Sequence, residues 1–571
     1  MEYRKNYEDW LNASYFDDKT KEELLSIKND EKEIQERFYK QLDFGTAGLR
    51  GIIGAGTNRM NIYTVRRATC GVINYLLDTI GDVAKSKGVV IAHDCRYMSR
   101  EFCIETATTF AAYGIKAYIF DELRTTPELS FAVRNLNCAA GIVITASHNP
   151  KEYNGYKVYN DDGGQIGIDM AKAIINEVNK IEDMSTIKTI SLKEAKENNL
   201  VIELSKDIDK KFIDVVQKQI IRPEIIKEYG KDLKIIFTPI NGTGNKPVRE
   251  ALKVAGFENV SVVKEQENPD PAFSTVKYPN PEEKEVFNIA IEMAKKDGAD
   301  LIIGTDPDCD RVGVVVKNNK NEYIVLSGNQ TGALLVRYIL EGLVEKNKLP
   351  KNPTIIKTIV TSELGANIAN HYGVECLNTL TGFKFIGEKI REYEQIASET
   401  RRNFIMGYEE SFGYLIGTHA RDKDAVVASL MICEMAAYYK SKELSLYDAL
   451  IDTYEKFGYY KEFLKSITLS GMDGLAKIKE LMEYFTNAQI TSIGDINVAQ
   501  ILDYKKGIDN LPTADVLKFM LEDGSWIAIR PSGTEPKIKF YFGCNAESER
   551  QVDEKINKLV EAIESMIEDQ I

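Results

Sequence analysis

The chain has little that would carry it out of water or lock it covalently. No stretch of its 571 residues approaches the roughly 18 uninterrupted apolar residues of a membrane span. The opening MEYRKNYEDWLN also lacks the apolar centre of an export signal, so a soluble, cytoplasmic protein is expected. Its cysteines, Cys70, Cys95, Cys103, Cys138, Cys309, Cys376, Cys433 and Cys544, never form a CxxC pair. That scatter indicates neither a zinc site nor a disulfide framework and leaves reduced thiols as the expectation. Positive charge is in deficit: Lys and Arg total 73 against 87 Asp and Glu, and the net charge of −14 argues against a nucleic-acid partner. Low-complexity tracts are absent. With 43% hydrophobic and 28% charged residues the chain reads as globular, too long for one core and expected to divide into about three to five domains.

What is present is a series of short β-branched runs that break into polar loops. GVVIAHD (88–94), AYIF (117–120), GIVITA (141–146), LKIIFTPI (233–240), LIIG (301–304), TIIKTIV (354–360) and FIMGY (404–408) read as strands. Helical patterns lie between them, such as NKPVREALKVAG (245–256), with Asn245 as cap, Pro247 in the first turn and Gly256 as the stop. The alternation predicts α/β domains, and the strand-then-loop device recurs three times before position 450. After about 455 the pattern changes. WIAIR and KIKFYFG read as an antiparallel pair followed by the amphipathic helix SERQVDEKINKLVEAIESMIE, an α+β tail. The first forty residues, rich in Glu, Lys and Asp, read as a helical extension.

Four loops carry chemistry. GIVITASHNP (141–150) delivers Ser147, followed by His148, to a turn at the end of a buried strand, which is how an α/β enzyme presents a nucleophile. GTDPDCDR (304–311) places Asp306, Asp308 and Asp310 at alternate positions, so that an extended backbone would point three carboxylates at one hard cation. A calcium helix-loop-helix needs Gly sixth and Glu twelfth, where this chain has Arg311 and Lys317. Within the acidic loop, Cys309 reads as a small filler turned away from the carboxylates. GYEESFG (407–413) offers Glu409 and Ser411 to the hydroxyls of a polyol. RPSGTEPK (530–537) packs Arg530, Ser532, Gly533 and Thr534 into a loop able to surround a phosphate. Arg50, Lys157, Arg311, Lys384, Arg421, Lys423 and Arg530 all lie in or beside these motifs, enough for a local basic pocket in an acidic protein.

Taken in this order, at intervals of about a hundred residues, TASHNP, DPDCDR, GYEESFG and RPSGTEPK resemble the α-D-phosphohexomutase family over essentially the whole chain from about Phe44. FGTAGLRG (44–51), NGYKVY (154–159), TGFKFIG (381–387) and HARDKD (419–424) are similar to its phosphoglucomutase branch, including the phosphopentomutase-like relatives. The amino-sugar branch typically carries Gln in the sugar loop, where this chain has Glu409 and Glu410.

The resemblance implies four domains around a central cleft, three similar mixed α/β domains and a C-terminal α+β domain. Their expected limits are 1–205 with the phosphoserine loop, 206–320 with the metal loop, 321–455 with the sugar loop and 456–571 with the phosphate loop. It implies that Ser147 carries a phosphoryl group and that Mg²⁺ is held by Asp306, Asp308, Asp310 and a phosphoserine oxygen. Arg50 and Arg311 would stabilise the transferring group. The acid–base role is contested by Lys423, Lys157, His148 and His419, with Lys423 favoured and Lys157 second; a lysine serves there only with a depressed pKa. Thr381, Gly382, Lys384, Glu409, Ser411 and Arg421 would hold the sugar, and Arg530, Ser532, Gly533 and Thr534 the phosphate that is not transferred.

The implied reaction interconverts glucose 1-phosphate and glucose 6-phosphate through a phosphoserine enzyme, with glucose 1,6-bisphosphate as intermediate and primer. Sugar phosphates are the expected partners, with neither nucleic acid nor membrane. The alternatives are a phosphomannomutase or phosphopentomutase, a glucose 1,6-bisphosphate synthase, and a catalytically silent binding relative; loss of a motif residue would favour the last, and none is lost.

Overall fold

The computed structural model describes residues 2–45, 48–469, 474–532, 537–568 and 570. Gly533 and Thr534 of the expected phosphate loop lie outside them. The chain forms two compact units, one of residues 1–326, 383–401 and 412–443, the other of 327–382, 402–411 and 444–571.

The first unit begins with three helices, Glu2–Asn12, Asp18–Ser26 and Glu31–Phe38, as the extension predicts. They bury Tyr7, Trp10, Phe16 and Phe38 against Tyr63, with Trp10 stacked on Phe16 at 4.1 Å. Behind them lies a seven-stranded sheet. At its centre Val89–His93 pairs in parallel with Ala140–Ile144 and Ala117–Ile119. Every residue of Val89–His93 and Ala140–Ile144 is buried, which is why both read as continuous apolar runs. Strand Tyr153–Tyr159 returns antiparallel to Ala140–Ile144 and sets Lys157 opposite Val143. A second, five-stranded sheet joins the parallel strands Val260–Val262, Ile235–Thr238 and Leu301–Thr305 to the antiparallel Val312–Lys317 and Tyr323–Leu326. Helix Asn245–Ala255 stops at Gly256, whose φ of 112° suits glycine; Gly244, not Asn245, occupies the cap position.

In the second unit Glu375–Thr379, Pro353–Thr358 and Asn403–Glu409 run parallel. The C-terminal part is a six-stranded antiparallel sheet ordered 459–468, 537–546, 526–531, 517–521, 496–503 and 492–493. Helix Glu549–Glu568 buries Val552, Ile556, Leu559, Ile563 and Ile567, a stripe at helical spacing packed in the same core as Phe519, Ile527 and Phe540 of that sheet. Among the described residues no helix is long and apolar enough to cross a membrane. All eight cysteines are unpaired.

Candidate active site

Ser147 is placed by its strand and strained by its turn. The buried strand Ala140–Ile144 ends three residues before it, and its own φ is 51°, a left-handed conformation that costs a non-glycine residue about 1 kcal/mol or more. The surroundings enforce that conformation. Thr145 Oγ1 donates to Asp94 Oδ2 at 2.6 Å and accepts the Ser147 amide at 2.8 Å. The fully buried guanidinium of Arg96 ties down the loop, donating to the carbonyls of Ser147 at 2.6 Å and Pro150 at 2.7 Å. Ser147 Oγ, thus fixed, donates to Asp306 Oδ2 at 2.8 Å and lies 3.2 Å from His148 Nδ1. Burial, with Arg311 and Arg50 nearby, holds His148 well below the ordinary imidazole value.

The acidic loop converges by a different geometry from the expected one. It is a tight turn, not an extended segment, with Cys309 at φ 57°. Asp306 makes the turn: its Oδ1 accepts the amides of Asp310 and Arg311, each at 3.0 Å, and its carbonyl accepts that of Cys309 at 2.9 Å. Folding back in this way brings one oxygen from each of Asp306, Asp308 and Asp310 within 4.8 Å of the others, all buried. The Cys309 side chain does turn away from them, toward Gly244, where an added Cβ would stand 2.9 Å from Sγ. Asp308 is further held by Thr126, which donates to its Oδ2 at 2.8 Å and, through the amide, to its carbonyl at 2.9 Å. Burial and the charges of Asp308 and Asp310 push the Asp306 carboxyl well up, whereas Lys157 holds Asp308 down against its own burial.

Two lysines balance the cluster. Lys157 Nζ lies 2.7 Å from Asp308 and 3.6 Å from Asp310; burial pulls its pKa down, but these carboxylates more than reverse that and raise it. The depressed pKa expected of a lysine base is therefore not found at Lys157. Lys423 Nζ lies 3.1 Å from both Asp310 and Asp422. Its stem crosses Gly413 so closely that a Cβ there would stand 2.1 Å from Lys423 Cδ. Arg311 pairs with Glu282 and lies 3.9 Å from Asp310, and Arg50 donates to Asn149 Oδ1 at 3.0 Å beside the serine loop.

Two other candidates are engaged elsewhere. Arg421 is fully buried, its guanidinium bonded to the carbonyls of Thr418 and Ala420 and to Glu394, so it holds its own loop together. His419 Nε2 is bonded at 2.7 Å to Asp424, the carboxylate that caps helix Ala425–Lys440. Lys384 lies in the first turn of helix Phe383–Glu394, 5.1 Å from the centre of the Phe385 ring.

In the second unit, Glu409 ends strand Asn403–Glu409 and accepts the Gly382 amide at 2.9 Å, joining the Thr381–Gly382 turn to the loop that carries Ser411. Glu410 accepts from Thr358 and Thr361. Arg530 stands opposite Lys539 on paired strands, and Ser532 donates its amide to Lys537 at 2.7 Å. Residues opposite one another, and those two apart, share a face, so Arg530, Lys537 and Lys539 line one side of the loop's stem.

Sequence reading missed Asp94, Arg96, Thr126, Lys537 and Lys539. DCRYMSR directly after the strand GVVIAH was the available signal for Arg96; no pattern announces Thr126.

Four family models match in order: phosphoglucomutase/phosphomannomutase α/β/α domain I at 41–185, domain II at 210–320, domain III at 327–454 and the C-terminal domain at 476–559. The chain belongs to the phosphoglucomutase/phosphomannomutase family. It is 36% identical to a phosphoglucomutase of Staphylococcus haemolyticus, covering 97% of this chain and 98% of that one. A phosphoglucomutase of Staphylococcus aureus is 37% identical, covering 92% and 94%. Among solved structures, the Paramecium phosphoprotein parafusin, a phosphoglucomutase, superposes with a TM-score of 0.69 at 20% identity, covering 92% of this chain and 95% of that one. A phosphoglucomutase/phosphomannomutase family protein from Burkholderia thailandensis gives 0.65 at 18%, covering 92% and 98%. At those identities the structural likeness establishes the fold, three α/β domains and a distinct C-terminal one.

Proposed function

We propose that this chain interconverts glucose 1-phosphate and glucose 6-phosphate in the cytoplasm, with Ser147 as the residue that gives and takes the phosphoryl group. The observation that carries the reading is the Ser147 hydroxyl held 2.8 Å from Asp306 within a buried, all-oxygen cluster. That cluster fits a divalent cation. Oδ1 of Asp308 and Oδ1 of Asp310 are buried without a hydrogen-bond partner among the described residues, and carboxylate oxygens suit Mg²⁺. Asp306, Asp308 and Asp310 would hold the ion, which supplies neutralisation of charge on the transferring phosphoryl group.

In the forward half-reaction a hydroxyl oxygen of the sugar monophosphate bonds to phosphorus as the Ser147 Oγ–P bond breaks, and the hydroxyl proton passes to a base. The product is glucose 1,6-bisphosphate, which also primes an unphosphorylated enzyme. In the second half its other phosphoryl group returns to Ser147 Oγ, and the freed sugar oxygen recovers a proton. Lys423 is assigned as that acid–base group, fixed beside Asp310 by the close passage over Gly413, whereas Lys157, its pKa raised by Asp308 and Asp310, stays charged and balances the cluster. Arg50, which donates to Asn149 of the serine loop, and Arg311 are assigned to stabilise charge on the transferring phosphoryl group. Glu409 and Ser411, with the Thr381–Gly382 turn, are assigned to the sugar hydroxyls, and Arg530 and Ser532 to the standing phosphate. The domain limits follow the same scheme, at 1–205, 206–320, 321–455 and 456–571.

The test combines peptide mapping with a coupled assay on glucose, mannose, glucosamine and ribose 1-phosphates. Phosphate is expected on Ser147, glucose 1-phosphate is expected to be the best substrate, and Ser147→Ala is expected to lose both the phosphate and the turnover. Near-full turnover by Ser147→Ala overturns the nucleophile. A preference of more than about tenfold in kcat/KM, equal to about 1.4 kcal/mol, for another sugar moves the assignment to another branch.

A further inference from the structure

Lys423 hangs from a buried chain of hydrogen bonds that begins on the seven-stranded sheet. Strand Tyr153–Tyr159 ends at Tyr159, two residues beyond Lys157 and therefore on the same face. From that face Lys157 reaches Asp308, while the Tyr159 hydroxyl donates to Asp422 Oδ2 at 2.8 Å across 263 residues of sequence. The side-chain amide of Gln165 donates to the same hydroxyl at 3.3 Å, which leaves the phenol proton for Asp422. Tyr159 is fully buried and Asp422 is 1% exposed, so water competes little for these bonds. Burial, and then the Asp422 charge, hold the phenol well above its ordinary value, so it stays a donor.

The other oxygen of Asp422 grips the lysine twice. Its Oδ1 accepts the Lys423 amide at 2.8 Å and lies 3.1 Å from Nζ. The terminal torsion of an aspartate is soft, and rotation about it would break both contacts; the Tyr159 bond to Oδ2 fixes that rotation. The Phe383 ring stands 5.7 Å from Nζ, a further wall to its position. Asp310, also 3.1 Å from Nζ, is assigned to the metal, whereas Asp422 is not, so Asp422 can keep aiming the ammonium while Asp310 serves the ion. A buried carboxylate is costly where apolar packing would do, and here both of its oxygens are spent on directing one lysine.

We infer that Tyr159 is a positioning residue for phosphoryl transfer, acting through Asp422 on Lys423. The inference rests on the acid–base assignment of Lys423 and names what aims it.

The test is a double-mutant cycle on the full-length protein. Phosphoenzyme loaded with glucose 1,6-bisphosphate is mixed with glucose 1-phosphate, and transfer is followed by rapid quench beside steady-state kinetics. Tyr159→Phe keeps the ring and removes the hydroxyl; it is expected to slow transfer about tenfold and to leave KM within about twofold. Asp422→Asn, equal in size, is expected to slow transfer further, and it supplies the cycle if Tyr159→Phe does not fold. Lys423→Met is expected to lose at least about a hundredfold, and adding Tyr159→Phe to it is expected to cost nothing more, because the lysine through which Tyr159 acts is gone. A merely structural role would cost the same factor in both backgrounds. Near-full transfer by Lys423→Met overturns the acid–base assignment and this proposal with it. A disabled Lys423→Met beside an unimpaired Tyr159→Phe, or a loss from Tyr159→Phe that persists in the Lys423→Met background, overturns the positioning role alone.

Discussion

Lys157 and Lys518 are buried almost equally, 7% and 3% exposed, yet end in opposite electrostatic states. Burial pulls both ammonium groups down. At Lys157 the carboxylates of Asp308 and Asp310 more than reverse the effect. Lys518, in the C-terminal sheet, donates to the carbonyl of Ile359 at 2.7 Å, with one carboxylate among the described residues, Glu363, at 3.9 Å. That carboxylate is shared with Lys357 at 3.0 Å. Burial, then the like charge of Lys357, pushes Lys518 to about 7. The difference teaches that burial does not decide the charge of a lysine; the number of carboxylates within reach does. The Ser147 cluster is therefore a charge-balanced assembly in which removing any member uncovers the rest.

The sharpest way to break that balance is Asp308→Asn. It leaves Lys157 without its nearest partner and removes an expected metal ligand, so kcat should fall at least about a hundredfold, with a weaker response to added Mg²⁺ in titrations of activity. Full activity in EDTA, for either wild type or variant, would sink the metal assignment. Arg530→Ala tests the other unit. Losing a charge-assisted contact of about 1.5–3 kcal/mol should lower kcat/KM about ten- to a hundredfold in both reaction directions and leave Ser147 phosphorylation intact. Equilibrium links the two directions, so rapid-quench measurement of each monophosphate with the phosphoenzyme is the deciding experiment; a defect with one sugar phosphate alone rejects a clamp that serves both ends.

Gly413→Ala sharpens the comparison without touching a charge. The new methyl must displace the Lys423 stem, and a fall in kcat of about tenfold is expected, read by steady-state kinetics against an unchanged KM. An inert variant would show that the position of Lys423 does not matter. The smallest effect concerns Lys518 and stability. Its folded value of about 7 lies below the ordinary 10.5, so between these pH values the unfolded chain binds more protons and stability rises with pH. The slope contributed cannot exceed about 1.4 kcal/mol per pH unit. Lys518→Met should remove this rise, seen as a flatter dependence of Tm on pH between about 7 and 10; identical curves would place Lys518 in water.

Much of this architecture is legible in the amino-acid sequence alone. Strands such as Val89–His93, Ala140–Ile144 and Leu301–Thr305 are buried along their whole length, so burial selects continuous β-branched runs that stand out from their surroundings. Strand Tyr459–Thr468 carries no such signal, because it alternates between exposed and half-buried, and much of its stability comes from pairing with 537–546, about eighty residues away in sequence. Likewise the residue types of the site are visible as loops, but not the means of their convergence.

By itself the sequence determined the α/β order, the antiparallel tail with its amphipathic helix, and the chemistry on offer: a serine at a strand end, three aspartates in one loop, an arginine beside two hydroxyls. These follow from local periodicity and from side-chain chemistry, which neighbours in sequence suffice to express. Only the tertiary structure decided that Asp306 folds its loop into a turn, that Arg96 holds the serine loop by its carbonyls, that Arg421 is spent on its own loop, and that Lys157 stays charged. Arg96 and Lys157 find their partners 51 and 151 residues away, where distance and shared burial, not spacing along the chain, set the energies, whereas the Asp306 turn closes within five residues and Arg421 bonds its own loop and Glu394 once the backbone has folded.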